Sequence, residues 1–434
     1  MRAFFAALVL VAAGFWPGLA AASPPSTAEV LDQWYDLVLA LTRHTPTMTP
    51  PVASRAYGYI GVAAYEVIAS GSDRLQTLAG QLNGLEALPA RETGAAYNET
   101  VVIDAALRTV IGDLFRHTGP MGRRALAGLA ARHNAALADS TDAAILERSE
   151  EYGTQLGKSI LDWSRTDGGD VVENMGFPRS YTPQDGPQYW VPTNVIVIQQ
   201  APLLPDWGKN RPFALLEGAA CPVAAPPAYS EDPDSDYFKQ VREVYDTWKG
   251  LTPDQRAIAR FWADDAMLSV TPPGHWLNIA LNILKAKNAS AEETVDVLAR
   301  LGIGMADAFI GCWHEKYVYN AVRPITVIKK LIDPKFDTPV LTPPFPEFPS
   351  GHSVQSAAAA AVLTAAFGEN FAFTDNTDEE DGLEPRSFPS FRAAADEAGI
   401  SRLYGGIHYR AAIELGAEQG RCIAGHAIAL RTWR

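Results

Sequence analysis

Positive charge is in short supply in this chain. Its 434 residues carry 36 Lys plus Arg against 50 Asp plus Glu, a net charge of −14. A surface of that sign repels phosphate backbones, which excludes general nucleic-acid binding as a function class. Cysteine is scarce too, with only Cys221, Cys312 and Cys422. Their scatter excludes the close pairs of a structural zinc site. In an exported chain two of them could pair, and the odd number leaves at least one unpaired; buried structural thiols are the expectation. Beyond the N-terminus no apolar run reaches the length of a membrane span. The first half has no convincing alternating strands, and no fixed-period repeat is evident. Apolar content itself is ample. The chain is 47% hydrophobic and 20% charged, enough to bury a large core.

Arg2 precedes an apolar stretch from Ala3 to Trp16, and Ala20-Ala21-Ala22 offers a small-residue cleavage site before Ser23. Residues 1–22 therefore read as a secretory signal, with export to the periplasm or medium expected. The rest is predicted to be all-α, a single helical domain over 23–434 made of helical bundles with long ordered loops. Within it, 23–230 holds N-terminal helices and a loop region, and 231–434 is a helical part carrying the candidate site. Val30, Leu31, Trp34, Leu37, Val38 and Leu41 share one helical face. Ala56, Gly58, Gly61, Ala63 and Ala64 suit close helix contact. Residues 166–230 are rich in Gly, Pro and aromatics, too aromatic for a free linker, and read as an ordered excursion packed across the helices. Helical pattern resumes at 234–249, 253–268, 275–287 and 291–322, the last with a bend expected at Gly302 and Gly304. The acidic run 374–382 reads as a solvated loop; a cation site or a lid is its functional alternative.

Against the acidic background, three segments concentrate cations and imidazoles. Lys316 and Arg323 are spaced by nearly two helical turns, so a helix continued to Pro324 places both on one face with Trp313. Two cations on one stripe repel unless an anion lies between them. Pro349-Ser350-Gly351-His352 precedes an alanine-rich helix former, which puts Ser350 near the N-cap. There the free amides and the helix dipole favour an anion, and Gly351 permits close backbone approach. Arg402 and His408 are separated by Gly405-Gly406, a joint that lets them converge. Together these groups suit a phosphate or vanadate oxyanion, with one His free to bond the central atom and another to move protons.

Lys-x6-Arg-Pro, Pro-Ser-Gly-His and Ser-Arg-x5-His, in that order, resemble the superfamily of type 2 phosphatidic acid phosphatases and vanadium-dependent haloperoxidases. The likeness runs from about residue 250 to 430, with weaker echoes at Trp190-Val-Pro-Thr193 and Pro205-Asp-Trp-Gly208. It implies vanadate as cofactor, and hydrogen peroxide and a halide as reactants, with a small organic acceptor as a further partner. His408 would bond vanadium. Lys316, Arg323 and Arg402 would neutralise the oxyanion, and Ser350 and Gly351 would hydrogen-bond it. His352 would be the acid–base group, and Lys316 would also polarise peroxide. Asp265 resembles a carboxylate supporting a site arginine, and Trp313 and Phe345 resemble residues on the halide side. The pattern departs from the family at Ala412, where many members carry Asp, so His408 must be oriented by another group, for which a backbone carbonyl is the first candidate. The same residues would serve an acid phosphatase acting through a phosphohistidine. A non-catalytic oxyanion-binding protein is the third reading, although pure binding needs neither histidine.

Overall fold

The computed structural model describes residues 23–193 and 201–434. The expected signal, residues 1–22, lies outside the described residues. Five helices come first: α1 (Thr27–His44), α2 (Pro50–Gly71), α3 (Glu99–Leu114), α4 (Pro120–Ala138) and α5 (Ala143–Ser164). Eight follow the loop region: α6 (Asp236–Gly250), α7 (Pro253–Phe261), α8 (Thr271–Ala286), α9 (Ala291–Tyr319), α10 (Pro324–Leu331), α11 (Gly351–Phe367), α12 (Phe391–Tyr404) and α13 (Arg410–Ile428). One short antiparallel pair, β1 (Phe373–Asp375) and β2 (Arg386–Phe388), interrupts them. The all-α expectation holds.

Helices α2 and α9 form the central pair, and small residues set their spacing. A Cβ at Gly302 would sit 2.6 Å from the Tyr57 carbonyl, and one at Gly61 would sit 3.0 Å from Ala299. Gly302 is thus needed for close helix approach, and α9 is continuous through it. One hydrophobic cluster draws on both halves of the chain, from Val30 and Trp34 to Ile423 and Ala427. Capping boxes at Ser26/Glu29 and Ser290/Glu293 start α1 and α9.

The described part of 166–230 is the packed strap expected of it. Asp307, buried in α9, accepts the amides of Phe213, Ala214 and Leu215 at 2.6, 2.8 and 2.8 Å. Trp190 donates its amide to Asn320 O, and Leu203 donates to Pro344 O. Gly208 lies so close to His314 of α9 that no side chain fits there. Within the strap, Cys221 is bonded to Cys422, and Cys312 is a buried free thiol. The expectation of structural thiols therefore holds for one cysteine of the three.

Two further expectations are corrected. Helix α9 ends at Tyr319, with Asn320 left-handed at φ 46°, so Lys316 and Arg323 do not share a helical stripe. Arg323 is instead the N-cap of α10. The acidic run is not simply a solvated loop either. Asp375 and Asp378 are buried, because His275 of α8 takes Asp375 Oδ2 at 2.7 Å and lies 3.9 Å from Asp378.

Candidate active site

A cavity of about 290 Å³ opens where the loops after α7, α10 and α12 meet the start of α11. Arg402, His352, His408, Gly351, Trp313, Phe345 and Asp265 all line it. Lys316, Arg323 and Ser350 do not line it but lie fully buried directly behind it, Lys316 against Phe345, Arg323 against His408 and Ser350 next to Gly351.

Each segment arrives by a local device. Ser350 caps α11, its Oγ accepting the Ser353 amide at 3.3 Å, while its own amide donates to Ala412 O at 3.0 Å. That leaves the hydroxyl proton free to donate. Gly351 lines the cavity in the first turn of α11, where a Cβ would meet Trp313 at an ordinary contact distance of 3.7 Å. Arg402 lies in the last turn of α12, and Gly406, at φ 73°, turns the chain so that His408 returns to the same space. His408 lies in the connector, two residues before α13, not inside a helix.

His408 has a definite tautomer. Its Nδ1 is 2.9 Å from Glu347 Oε1, which also accepts the Tyr409 amide at 2.9 Å. Burial raises the Glu347 carboxyl to about 7, but Oε1 already accepts the Tyr409 amide and Arg323 can only donate to Nε2, so Nδ1 carries the proton and Nε2 the lone pair. Glu347 is thus the group that does the work absent at Ala412, and it is a carboxylate, not the backbone carbonyl first expected. It stands three residues before Ser350 in a Pro-rich loop, where the sequence offers no periodic signal. Arg323 Nη1 lies 3.1 Å from His408 Nε2 and donates to Ile407 O at 2.9 Å.

The two aromatic predictions also converge. Trp313 and Phe345 have ring centroids 5.0 Å apart, and the Phe345 ring lies under both Lys316 (5.1 Å) and Arg323 (5.0 Å). Lys316 donates to the carbonyls of Pro346, Glu347 and Pro349 at 2.9, 3.1 and 2.5 Å. It therefore also pins the turn that delivers Ser350. Asp265 is half-buried on the cavity wall and forms no ion pair with Arg402. Burial pushes its carboxyl up, and the Arg402 charge opposes this. The adjacent Asp264 is deeper, at φ 50°, and is gripped by His275 Nδ1 at 3.0 Å. It is the first carboxylate felt by Arg402. His275 touches a carboxylate with each ring nitrogen, so it is an imidazolium. That cation already occupies the centre of the Asp264–His275–Asp378 group, the one cluster of metal-ligating side chains found among the described residues.

The electrostatics call for an anion. Burial lowers Lys316 to about 7, and Arg323 and Arg402 each to about 10. Burial also holds His352 and His408 well below 6.5, so both are neutral at pH 7. Arg323 Nη2 and His352 Nε2 are buried and have no hydrogen-bond partner. Such orphans cost free energy unless a ligand completes them. A tetrahedral oxyanion supplies acceptors for the arginines and Ser350, and a central atom for His408 Nε2. Vanadate fits this donor set.

The comparisons agree with this fit. A family model described as the VCPO second helical-bundle domain matches residues 296–336 and 332–432. A bacterial vanadium-dependent iodoperoxidase is 38% identical, over 94% of this chain and 98% of its own, at a TM-score of 0.87. A holo-type bacterial vanadium-dependent chloroperoxidase is 16% identical and shares the fold over 89% of this chain and 93% of its own, at a TM-score of 0.70. No curated protein sequence matches the chain. A full-length likeness at that level of identity, joined to the site just described, places the chain in the vanadium-dependent haloperoxidase family.

Proposed function

We propose that this protein is a vanadium-dependent haloperoxidase, which uses hydrogen peroxide to oxidise a halide at vanadate held by His408. One observation carries the proposal: buried Lys316, Arg323 and Arg402 converge with two neutral histidines on one cavity, and Arg323 Nη2 and His352 Nε2 lack partners. When bound, vanadate supplies a Lewis acid that does not change redox state and activates peroxide toward halide.

The chain's own residues do the rest. His408 Nε2 would bond vanadium, and Glu347 would keep that nitrogen unprotonated and aimed. Arg323 Nη2, Arg402 and the Ser350 hydroxyl would hold the oxygens, helped by the Gly351 amide at the start of α11. His352 Nε2 is free to accept and return a proton at the cavity side. Lys316 would supply charge from below. Trp313 and Phe345 would exclude water from the place where halide approaches, and Asp265 would balance Arg402 across the cavity.

The phosphatase alternative uses the same groups. The 38% identical haloperoxidase supports the choice made here, and its printed activity makes iodide the first halide to test. We also propose export. The Cys221–Cys422 bond suits an oxidising compartment, as does the leader-like start of the sequence.

The deciding experiment uses metal-free protein. Vanadate should restore peroxide-dependent oxidation of iodide or bromide, and phosphate should compete with it. Phosphate-ester hydrolysis without vanadate, combined with no halide oxidation at any pH, would put the phosphatase reading in its place.

A further inference from the structure

Glu347 has a second side. Both hydrogen bonds to its carboxylate, from His408 Nδ1 and the Tyr409 amide, fall on Oε1. Oε2 receives none from the described residues. The nearby cations are engaged elsewhere: Lys316 donates to three carbonyls, and Arg323 to those of Phe345 and Ile407. Glu347 also lines a second cavity, of about 180 Å³, which shares no lining residue with the first. The Glu347–His408 hydrogen bond therefore joins the two cavities.

Aromatic rings dominate the second cavity. Tyr237 meets Tyr229 and Tyr409 at centroid distances of 5.1 and 5.4 Å, and Tyr319 meets Phe348 at 5.0 Å. Tyr229 and Tyr319 are half-buried and the other three are buried, so ring surface runs from the rim inward. At the start of α13, Ala411 and Ala412 are too small to fill the space. Glu347 is the one charged residue among those lining it.

These features select an occupant. A carboxylate oxygen without a partner calls for a donor. Ring faces attract a cation, and so does a chain of net charge −14. An anion would meet Glu347 with no lining cation to offset it. The volume is below the roughly 300 Å³ at which sites for drug-sized ligands begin, so the occupant is small.

We propose that this second cavity binds a small organic primary ammonium, its N–H groups on Glu347 Oε2 and its apolar body against the rings, and that its binding weakens vanadate binding at His408. The ammonium offsets the negative charge that Glu347 places behind the imidazole, so Nε2 becomes a poorer donor to vanadium. Linkage makes the effect reciprocal, and bound vanadate weakens amine binding by the same factor. The coupling rests on the haloperoxidase reading, whereas the amine site does not.

The test is isothermal titration calorimetry at pH 8, above the Glu347 pKa of about 7, with phenethylamine as probe and 2-phenylethanol as its neutral counterpart. Vanadate-free protein should bind the amine saturably, about tenfold or more tighter than the alcohol. Tyr229→Leu and Tyr319→Leu should each weaken amine binding by about fivefold, the effect of one lost cation–ring contact. Saturating vanadate should weaken it by about fivefold or more. Absence of saturable binding, an alcohol that binds as well as the amine, or wild-type affinity in both variants would overturn the amine site. The last result would also expose an amine bound in the first cavity. Equal amine affinity with and without stoichiometrically bound vanadate would overturn the coupling. Failure of vanadate to bind at all would sink the haloperoxidase reading and the coupling with it, while the amine site is judged on the vanadate-free protein.

Discussion

His408 and His352 share an environment and differ in what their nitrogens face. His408 has Nδ1 tied to Glu347, and its Nε2 lone pair accepts from Arg323 Nη1, a hydrogen bond that a ligand on Nε2 would replace. His352 lines the cavity and has a buried, unpartnered Nε2. His408→Ala should therefore fold but fail to retain vanadium, as metal analysis after desalting would show. His352→Ala should retain it and lose turnover by about a hundredfold or more, the usual contribution of a proton-transfer group. Glu347→Gln separates charge from geometry. The amide oxygen can still accept from His408 and Tyr409, but the negative charge behind the imidazole is gone. Vanadate affinity should fall by about tenfold, the lower range for loss of a partner behind a ligand, and equilibrium dialysis would measure it. An affinity equal to wild type would mean that Glu347 serves only as a hydrogen-bond acceptor.

Among the elements, the 373–388 hairpin has an unexpected relation to the site. His275 of α8 is completely buried, stacks on Trp262 at 4.6 Å, and joins Asp375 of β1 to Asp264 of the cavity loop. His275→Ala would leave these carboxylates buried without their cation. Breaking such a group costs about 3–5 kcal/mol, so urea denaturation should show a loss of that size. Losing far less would indicate that water or protonation compensates. This element also shows where sequence reading stops. The Ser350 cap, the glycine turn before His408 and the apolar face of α1 were legible because each is local, set by neighbours within a turn or two. Lys316 and Arg323 were correctly paired through an incorrect helix, since Asn320 ends α9 by a left-handed cap that the periodicity hides. Glu347 and the His275 cluster were not legible. Their partners lie 61 and 100 residues away, and only tertiary packing brings them together.

For the whole molecule, anion binding should be felt as stability and as pH dependence. A ligand that binds only the folded chain stabilises it, by about 2.7 kcal/mol at a hundredfold excess over Kd, and so raises its melting temperature. Vanadate should do this and phosphate should do it in competition, as calorimetry can read. In the free protein burial holds Lys316 at about 7. An oxyanion restores the charged form, so binding takes up a proton above that pH. Vanadate affinity should then weaken as pH rises past about 7, by at most about tenfold per unit from this group. The histidines work from the other side. Both are held below 6.5, so below that pH the unfolded chain binds protons that the folded chain refuses, and stability falls as pH falls.

The bond between Cys221 and Cys422 closes a covalent ring, and the ring encloses every residue assigned to the site, from Asp265 to His408. The first five helices and the strap up to Ala220 lie outside it. A single proteolytic cut therefore has two different meanings. Made between 222 and 421, it opens the ring but leaves one covalent body, and the fragments part on a gel only after reduction. Made before 221, it severs the N-terminal half while the ring stays whole, and non-reducing conditions already show two pieces. Peptide mapping of the nicked protein with and without reductant would tell these apart.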